Sequence, residues 1–336
     1  MKKIAFVLAF LLCLLPLGGC RGQSSFTETY FYMDTVIGVT LYTEEKELAE
    51  TAFDRCRSIL SRLDALWARQ KSDSEIAKWN RGEGRDKPLD PATAELLLTA
   101  IDISQRTGGA FDITVAPVAD LWQTCGKRGS LPTEEELSQA LSLVGYTHLQ
   151  AIEAYVITSD LPELTIDLGG IGKGAAIDSL LAYLKTLRVE GGLVTFGSNV
   201  AVFGTKSDNA PFRIALRDPF DQNAAVGTLL LSRGQILSVS GDYERYVTID
   251  GKNYHHILDP ETGYPSESGL TSVAVVAADG VWADALSTAL FVMGKDEALA
   301  FYESSDYPFE AVLIEQNGSV TVTEGLQKIW IANSEN

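Results

Sequence analysis

Asp284 and Thr288 stand four apart in the run Ala283-Asp284-Ala285-Leu286-Ser287-Thr288-Ala289, a spacing that puts both side-chain oxygens on one face of a helix. Hard oxygen donors of this kind suit Mg²⁺ or Ca²⁺. An Asp-x-x-x-Thr pair alone reads by default as solvent-exposed or as a backbone-bonded Thr, but the neighbours Trp282, Leu286, Leu290, Phe291 and Met293 are core-like and count against simple exposure. A second cluster, Asp167-Leu168-Gly169-Gly170-Ile171-Gly172-Lys173-Gly174, follows a strand-like run and opens a helix-like one. Its glycines let backbone approach a ligand closely, and a helix amino end offers free N–H groups to an anion. The spacing fits neither GxGxxG nor GxxxxGK[ST]. A structural turn is the alternative, but Asp167 and Lys173 beside it favour phosphate or nucleotide contact.

Two further segments carry titratable groups. In His255-His256-Ile257-Leu258-Asp259-Pro260 the adjacent histidines point to opposite faces of a strand, so they cannot easily share one metal ion. A neutral His beside an Asp is a candidate general base; a hydrogen-bonded structural His is the alternative. In Ser240-Gly241-Asp242-Tyr243-Glu244-Arg245-Tyr246 the charges read first as a solvated strand edge.

The elements that must position these groups form an irregular α+β series. Strand is expected over Tyr30–Tyr42, interrupted at Gly38, then a helix over Glu44–Trp67 with helical apolar spacing. Gln70–Pro88 reads as loop. Asp90-Pro91 opens a helix that Gly108-Gly109 closes. Phe111–Val115 reads as a short strand, and Thr133 with Glu136 forms a capping box for a helix ending near Gly145. Strands are expected over Ala154–Thr158, Leu164–Leu168, Leu193–Phe203, Phe212–Leu216, Gly227–Leu231, Ile236–Ser240 and Tyr246–Ile249. Asp250-Gly251 and Asn317-Gly318 are hairpin signals. Helices interrupt over Lys173–Leu187 and Val281–Met293. Strands and helices do not alternate regularly, which disfavours a doubly wound parallel sheet. With no repeat, low-complexity tract or composition break, one compact unit is expected over 30–336.

Residues 1–19 read as an export signal. Met1-Lys2-Lys3 is basic, and the apolar run Ile4–Leu15 spans about 18 Å as a helix, short of a ~30 Å hydrocarbon core. Leu17-Gly18-Gly19-Cys20 resembles a bacterial lipobox, with Cys20 as the lipidated residue and 20–29 as anchor and short tether. The expected location is the outer side of a bacterial plasma membrane, lipid-anchored. Of the four cysteines, Cys56 and Cys125 then remain, too few and too far apart for a disulfide framework or metal cluster. Cys56 lies on an apolar helix face and is expected to be a buried thiol.

The chain of 336 residues has 46% apolar and 21% charged residues, ordinary globular usage. Net charge is −18, from 27 basic and 45 acidic residues; losing Lys2 and Lys3 leaves 25 − 45 = −20. That excludes a generic nucleic-acid surface, which needs clustered Lys and Arg, and electrostatic attraction to anionic lipid. A phosphate-bearing small ligand stays open, because a divalent cation can supply local positive charge.

In this order behind a lipobox, the four motifs resemble the ApbE family of FAD:protein FMN transferases, as do Met33-Asp34-Thr35 and Ala110-Phe111-Asp112. The resemblance runs from about residue 30 to 330. It implies a T-fold-like domain with mostly antiparallel sheets and flanking helices. It also implies cleavage of FAD at its pyrophosphate, attachment of FMN through its phosphate to a Thr or Ser of an exported acceptor protein, and release of AMP. By motif, Met33, Ala110, Phe111, Asp112, Asp167, Lys173 and Ile257 would line the FAD site, with Asp167 on the adenosine side. Mg²⁺ would be held by Asp284, Thr288 and the backbone oxygen of Gly170, with Ser287 a further candidate, and His256 would be the general base. An aromatic expected after the first helix falls near Trp67 or Gln70. The resemblance assigns no role to Tyr243 or Arg245. Alternatives are a Mg²⁺-dependent FAD pyrophosphatase, in which water replaces the acceptor, and a non-catalytic FAD-binding lipoprotein. A purely structural lipoprotein would leave the Gly-rich turn and Asp284 unexplained.

Overall fold

The computed structural model describes residues 24–206 and 208–333, so the leader and Cys20 lie outside the described residues. The chain enters through a hairpin, β1 (Ser25–Tyr32) and β2 (Thr35–Tyr42), paired from Ser25↔Tyr42 to Tyr32↔Thr35. The strand expected over Tyr30–Tyr42 is therefore broken at Met33-Asp34 and not at Gly38. Both turn residues have positive φ, 49° and 52°, the left-handed pair that a two-residue type I′ turn requires. β1 also claims residues 25–29, read from sequence as tether.

Five helices follow: α1 (Lys46–Trp67), α2 (Glu75–Asn80), α3 (Pro91–Arg106), α4 (Ala116–Arg128) and α5 (Glu134–Leu141). A small hairpin, β3 (Leu149–Glu153) and β4 (Val156–Ser159), leads to α6 (Gly172–Leu184). Seven strands come next: β5 (Gly191–Phe196), β6 (Asn199–Gly204), β7 (Phe212–Arg217), β8 (Ala225–Leu231), β9 (Ile236–Gly241), β10 (Tyr246–Ile249) and β11 (Lys252–His255). The chain closes with β12 (Leu270–Ala277), α7 (Gly280–Met293), α8 (Lys295–Ser304), β13 (Glu310–Glu315), β14 (Val320–Val322) and β15 (Trp330–Ala332).

The central sheet has the order β1-β2-β5-β6-β9-β12-β13-β14, every pairing antiparallel. Its two faces meet different partners, which explains why all eight residues of β12 are buried. Val273, Val275 and Ala277 join the helical core of α1, α3, α6 and α7, whereas Ala274 and Val276 face the small sheet β15-β8-β7. A third cluster packs α4 and α5 against the β10–β11 hairpin through Trp122, Cys125 and Ile249. Cys56 and Cys125 are free and buried.

Several local expectations are corrected. Leu193–Phe203 is a hairpin turning at Gly197-Ser198, with Gly197 at φ 60°. Phe111–Val115 is no strand; the Asp112 carboxylate caps a 3₁₀ turn over Ile113–Val115. Leu164–Leu168 buries alternate residues but joins no sheet, because the Asn80 side-chain amide takes both backbone groups of Ile166, each at 2.9 Å. The Gln70–Pro88 loop contains α2, whose amino end is capped by Ser74. Trp67 is buried, with its indole N–H on Thr93 Oγ1. Asp250-Gly251 and Asn317-Gly318 do turn β10 into β11 and β13 into β14.

Candidate active site

Two helices meet where the Gly-rich turn ends. A Cβ on Gly174 of α6 would stand 1.9 Å from the Gly280 carbonyl oxygen of α7, so only glycine admits this crossing. The closeness brings the Gly174 N–H to Asp284 Oδ2 at 2.9 Å. Asp178, further along α6, accepts the Gly280 N–H (2.9 Å) and the Val281 N–H (3.0 Å), tying the helices again. Burial, and then the charge of Asp279, raise the Asp178 pKa well above the usual carboxylate range.

Asp284 is 2% exposed, and four groups converge on it. Besides Gly174, its Oδ1 meets Lys173 Nζ at 3.0 Å and Asn199 Nδ2 at 3.0 Å, with Ser238 Oγ at 3.2 Å. Ser238 lies closer to Asn199 Oδ1, at 2.7 Å, so its single proton holds Asn199 in the orientation that donates to Asp284. A buried carboxylate persists only when paired and hydrogen-bonded.

One turn on, Ser287 donates to the Asp284 carbonyl at 2.8 Å, and Ser240 lies 2.8 Å from Ser287 and 3.3 Å from Thr288 Oγ1. With the Ser287 proton so placed, Ser240 donates to Ser287 and can accept from Thr288, which leaves Thr288 lone pairs free for a cation. A Cβ on Gly170 would lie 3.7 Å from Thr288 Oγ1 and 3.2 Å from the Phe111 ring, so Gly170, Phe111 and Thr288 converge. Among the described residues, no three His, Cys, Asp or Glu side chains gather at one point. A divalent cation here would be held by oxygens of mixed origin: the Asp284 carboxylate, the Thr288 hydroxyl and the Gly170 carbonyl. That set fits Mg²⁺, which keeps several waters and takes few protein ligands.

On the other side of the turn, Asp167 Oδ1 accepts the Gly169 N–H (2.8 Å) and Oδ2 meets Arg69 Nε (2.7 Å). Arg69 also grips Asp120 with both terminal nitrogens, and these groups border a cleft of about 390 Å³ with Gln70, Asn80 and Thr165. Lys173 reaches back to the Gly169 carbonyl at 2.9 Å.

His256 follows β11. Its Nδ1 lies 3.1 Å from the Arg245 carbonyl oxygen, which can only accept, so Nδ1 carries the proton and Nε2 the free lone pair. Dense protein around the ring pushes its pKa below the ordinary 6.5; the hydrogen bond to the Arg245 carbonyl opposes that fall, and the like charges of Arg245 and Lys173 add to it. Asp259 stays within its own turn, accepting from Glu261 N at 2.8 Å, so the His–Asp pairing considered from sequence is replaced by a His–carbonyl pairing. His255 points elsewhere, edge-on to Phe291 with Nε2 on the Ser266 carbonyl.

Met33 heads the β1–β2 turn, with its N–H on Asp64 Oδ1 (3.0 Å). Ala110 and Ile257 pack into the helical core. Asp112 is engaged locally: its oxygens take Thr114 N, Thr114 Oγ1 and Tyr146 N at 2.7–2.8 Å. Sequence reasoning missed Asn199, Ser238 and Arg69, and read Ser240 only as the start of a charged strand edge. The alternation Ser238-Val239-Ser240 is the one signal that could have placed two hydroxyls on a common face.

Residues 33–313 match the ApbE family. A curated relative from Vibrio cholerae, an FAD:protein FMN transferase, is 30% identical over 322 residues, covering 93% of this chain and 94% of its own. One of the same name from Salmonella typhimurium is 31% identical over 297 residues, covering 86% and 85%. The apo crystal structure of a Pseudomonas stutzeri flavinyl transferase superposes with TM-score 0.79 at 29% identity, over 95% of this chain and 100% of its own. The ApbE protein of Thermotoga maritima gives 0.78 at 29%, over 91% and 99%.

Proposed function

The chain belongs to the ApbE family, and from that premise we propose that it is an FAD:protein FMN transferase that uses Mg²⁺ to move FMN from FAD onto a Thr or Ser of an exported protein. The observation that carries this reading is the convergence of Asp284, Thr288, Gly170 and Lys173 at the mouth of α6. Lys173 and the α6 amino end would bind and orient the FAD pyrophosphate, setting positive charge against it in a chain that is strongly acidic overall. Asp284, Thr288 and the Gly170 carbonyl would hold Mg²⁺, which when bound neutralises charge developing on phosphate oxygens and eases departure of AMP.

His256 Nε2 removes the proton from the acceptor hydroxyl as that oxygen attacks the FMN-side phosphorus; the phosphoanhydride bond to AMP breaks. The Arg245 carbonyl keeps Nδ1 protonated and the ring oriented throughout. Met33 would contact the flavin, Ala110, Phe111, Asp112 and Ile257 would line the FAD site, and Asp167, braced by Arg69, the adenosine end. His256 is exposed, so water can also reach it, and hydrolysis of FAD to FMN and AMP is the expected side reaction.

The test is incubation of the chain from Gly22 onward with FAD, Mg²⁺ and exported electron-transport subunits carrying a candidate Thr, read by intact mass. A covalent FMN adduct is expected. FAD bound but unchanged with every acceptor would refute the reading. For location, we propose diacylation at Cys20 and display on the outer face of a bacterial plasma membrane. Cys20→Ser should abolish labelling by a radioactive fatty acid and release the protein from the membrane fraction.

A further inference from the structure

In the proposed transfer, the charged segment between β9 and β10 contributes only the backbone oxygen of Arg245. Its beginning is pinned to β12: Asp242 N donates to the Thr271 carbonyl (3.1 Å), and the Tyr243 hydroxyl lies 3.4 Å from Ser272 Oγ. Gly241 makes room for the Tyr243 ring, which a Cβ there would meet at 2.6 Å. Its end carries His256 twice over, because the Arg245 carbonyl accepts both the His256 backbone N–H (3.0 Å) and Nδ1–H (3.1 Å).

The Arg245 side chain finds no carboxylate within ion-pair distance among the described residues, although the sequence holds 45 acids. Its Nη2 instead reaches Thr35 Oγ1 at 3.4 Å, on a strand 210 residues earlier. Thr35 spends its own proton on the Met33 carbonyl at 3.1 Å, so its lone pairs face the guanidinium. We propose that Arg245 is a positioning residue that locks the His256 ring to the Met33–Asp34 turn through Thr35, fixing the distance between the base and the flavin end of the substrate. This rests on the reading of His256 as the base.

The geometry sets the test. A proton acceptor displaced by an ångström loses much of its rate while substrate binding changes little. Arg245→Met is expected to lower kcat for FMN transfer about tenfold, with FAD affinity, read by flavin fluorescence, within threefold of the parent. Thr35→Val keeps the shape of a buried residue and removes the hydroxyl, so it covers the case in which Arg245→Met folds poorly. Because the two groups act as one link, the double variant should be no slower than Arg245→Met alone. Additive losses, or a parental kcat in either single variant, would overturn the proposal. His256→Gln separates the premise: full activity there refutes the base assignment, whereas an inactive His256→Gln beside active Arg245 and Thr35 variants refutes only the link.

Discussion

Gly174→Ala is a one-carbon perturbation whose consequence can be worked from distances. The new Cβ would stand 1.9 Å from the Gly280 carbonyl oxygen and 2.9 Å from Asp284 Cβ. Opening the first contact to a tolerable 3.0 Å separates α6 from α7 by about 1.1 Å there. The Gly174 N–H to Asp284 Oδ2 bond then lengthens from 2.9 Å to about 4.0 Å and is lost. Overpacking costs about 1–3 kcal/mol. Stripping a partner from a buried carboxylate costs about 1–3 kcal/mol more. Alanine's better helix propensity returns only about 0.5–1 kcal/mol, so the steric and polar losses win by roughly 1–5 kcal/mol. For a domain of this size each kcal/mol moves Tm by about 2 °C, so thermal unfolding without ligands should fall by roughly 2–10 °C. A Mg²⁺ titration of turnover should shift to higher concentration, because Asp284 moves with the bond. Gly172→Ala is the control: its Cβ meets only Leu168 Cβ, at 3.7 Å, so Tm should not fall and should rise by at most about 2 °C. A Gly174→Ala protein with parental Tm and Mg²⁺ dependence would refute the claim that this crossing sets the site.

Asp284→Asn retains size but offers one acceptor oxygen where Gly174, Asn199 and Lys173 now converge on two; adduct formation should drop at least a hundredfold while circular dichroism stays native. The acid limb of kcat/KM should lie below pH 6.5, since protonating Nε2 removes the base and burial beside Arg245 and Lys173 resists a further positive charge; a limb at or above 6.5 would contradict the environment described for His256. Asp178 is raised by burial, so between about pH 4 and neutrality the native state binds more protons than the unfolded one, and its contribution to stability declines as pH rises. Urea midpoints at pH 5 and pH 8 should show a pH-dependent difference between the parent and Asp178→Asn; a constant difference would refute this.

Legibility followed the range of the interactions involved. The helix expected over Glu44–Trp67 is α1 to within two residues, because its apolar face repeats locally, and the Thr133–Glu136 capping box forms as read. Turns that carry their own chemistry, Asp250-Gly251 and Asn317-Gly318, were visible; Met33-Asp34 was not, because Met rarely takes a positive φ and no Gly follows the Asp to mark the turn. Leu164–Leu168 alternates like a strand, yet a side chain from residue 80 satisfies it in place of a neighbouring strand. At the site, the Asp284–Thr288 face is a property of one helix and could be read. Asn199, Ser238 and Arg69 were silent, since each acts on a group brought near only by the tertiary fold.

That range has a kinetic consequence. The bonds that define the site join residues 110 apart (Gly174 and Asp284), 85 apart (Asn199 and Asp284) and 210 apart (Arg245 and Thr35). Loops so long close slowly, and a fold dominated by non-local antiparallel pairings gains these contacts late. The oxygen cage therefore comes into being only once α6, β6, β9 and α7 have all docked, and a nascent or translocating chain would carry every proposed ligand residue without a place to put a cation. Metal capture would then be reserved for the finished molecule, at whatever side of a membrane it completes its folding.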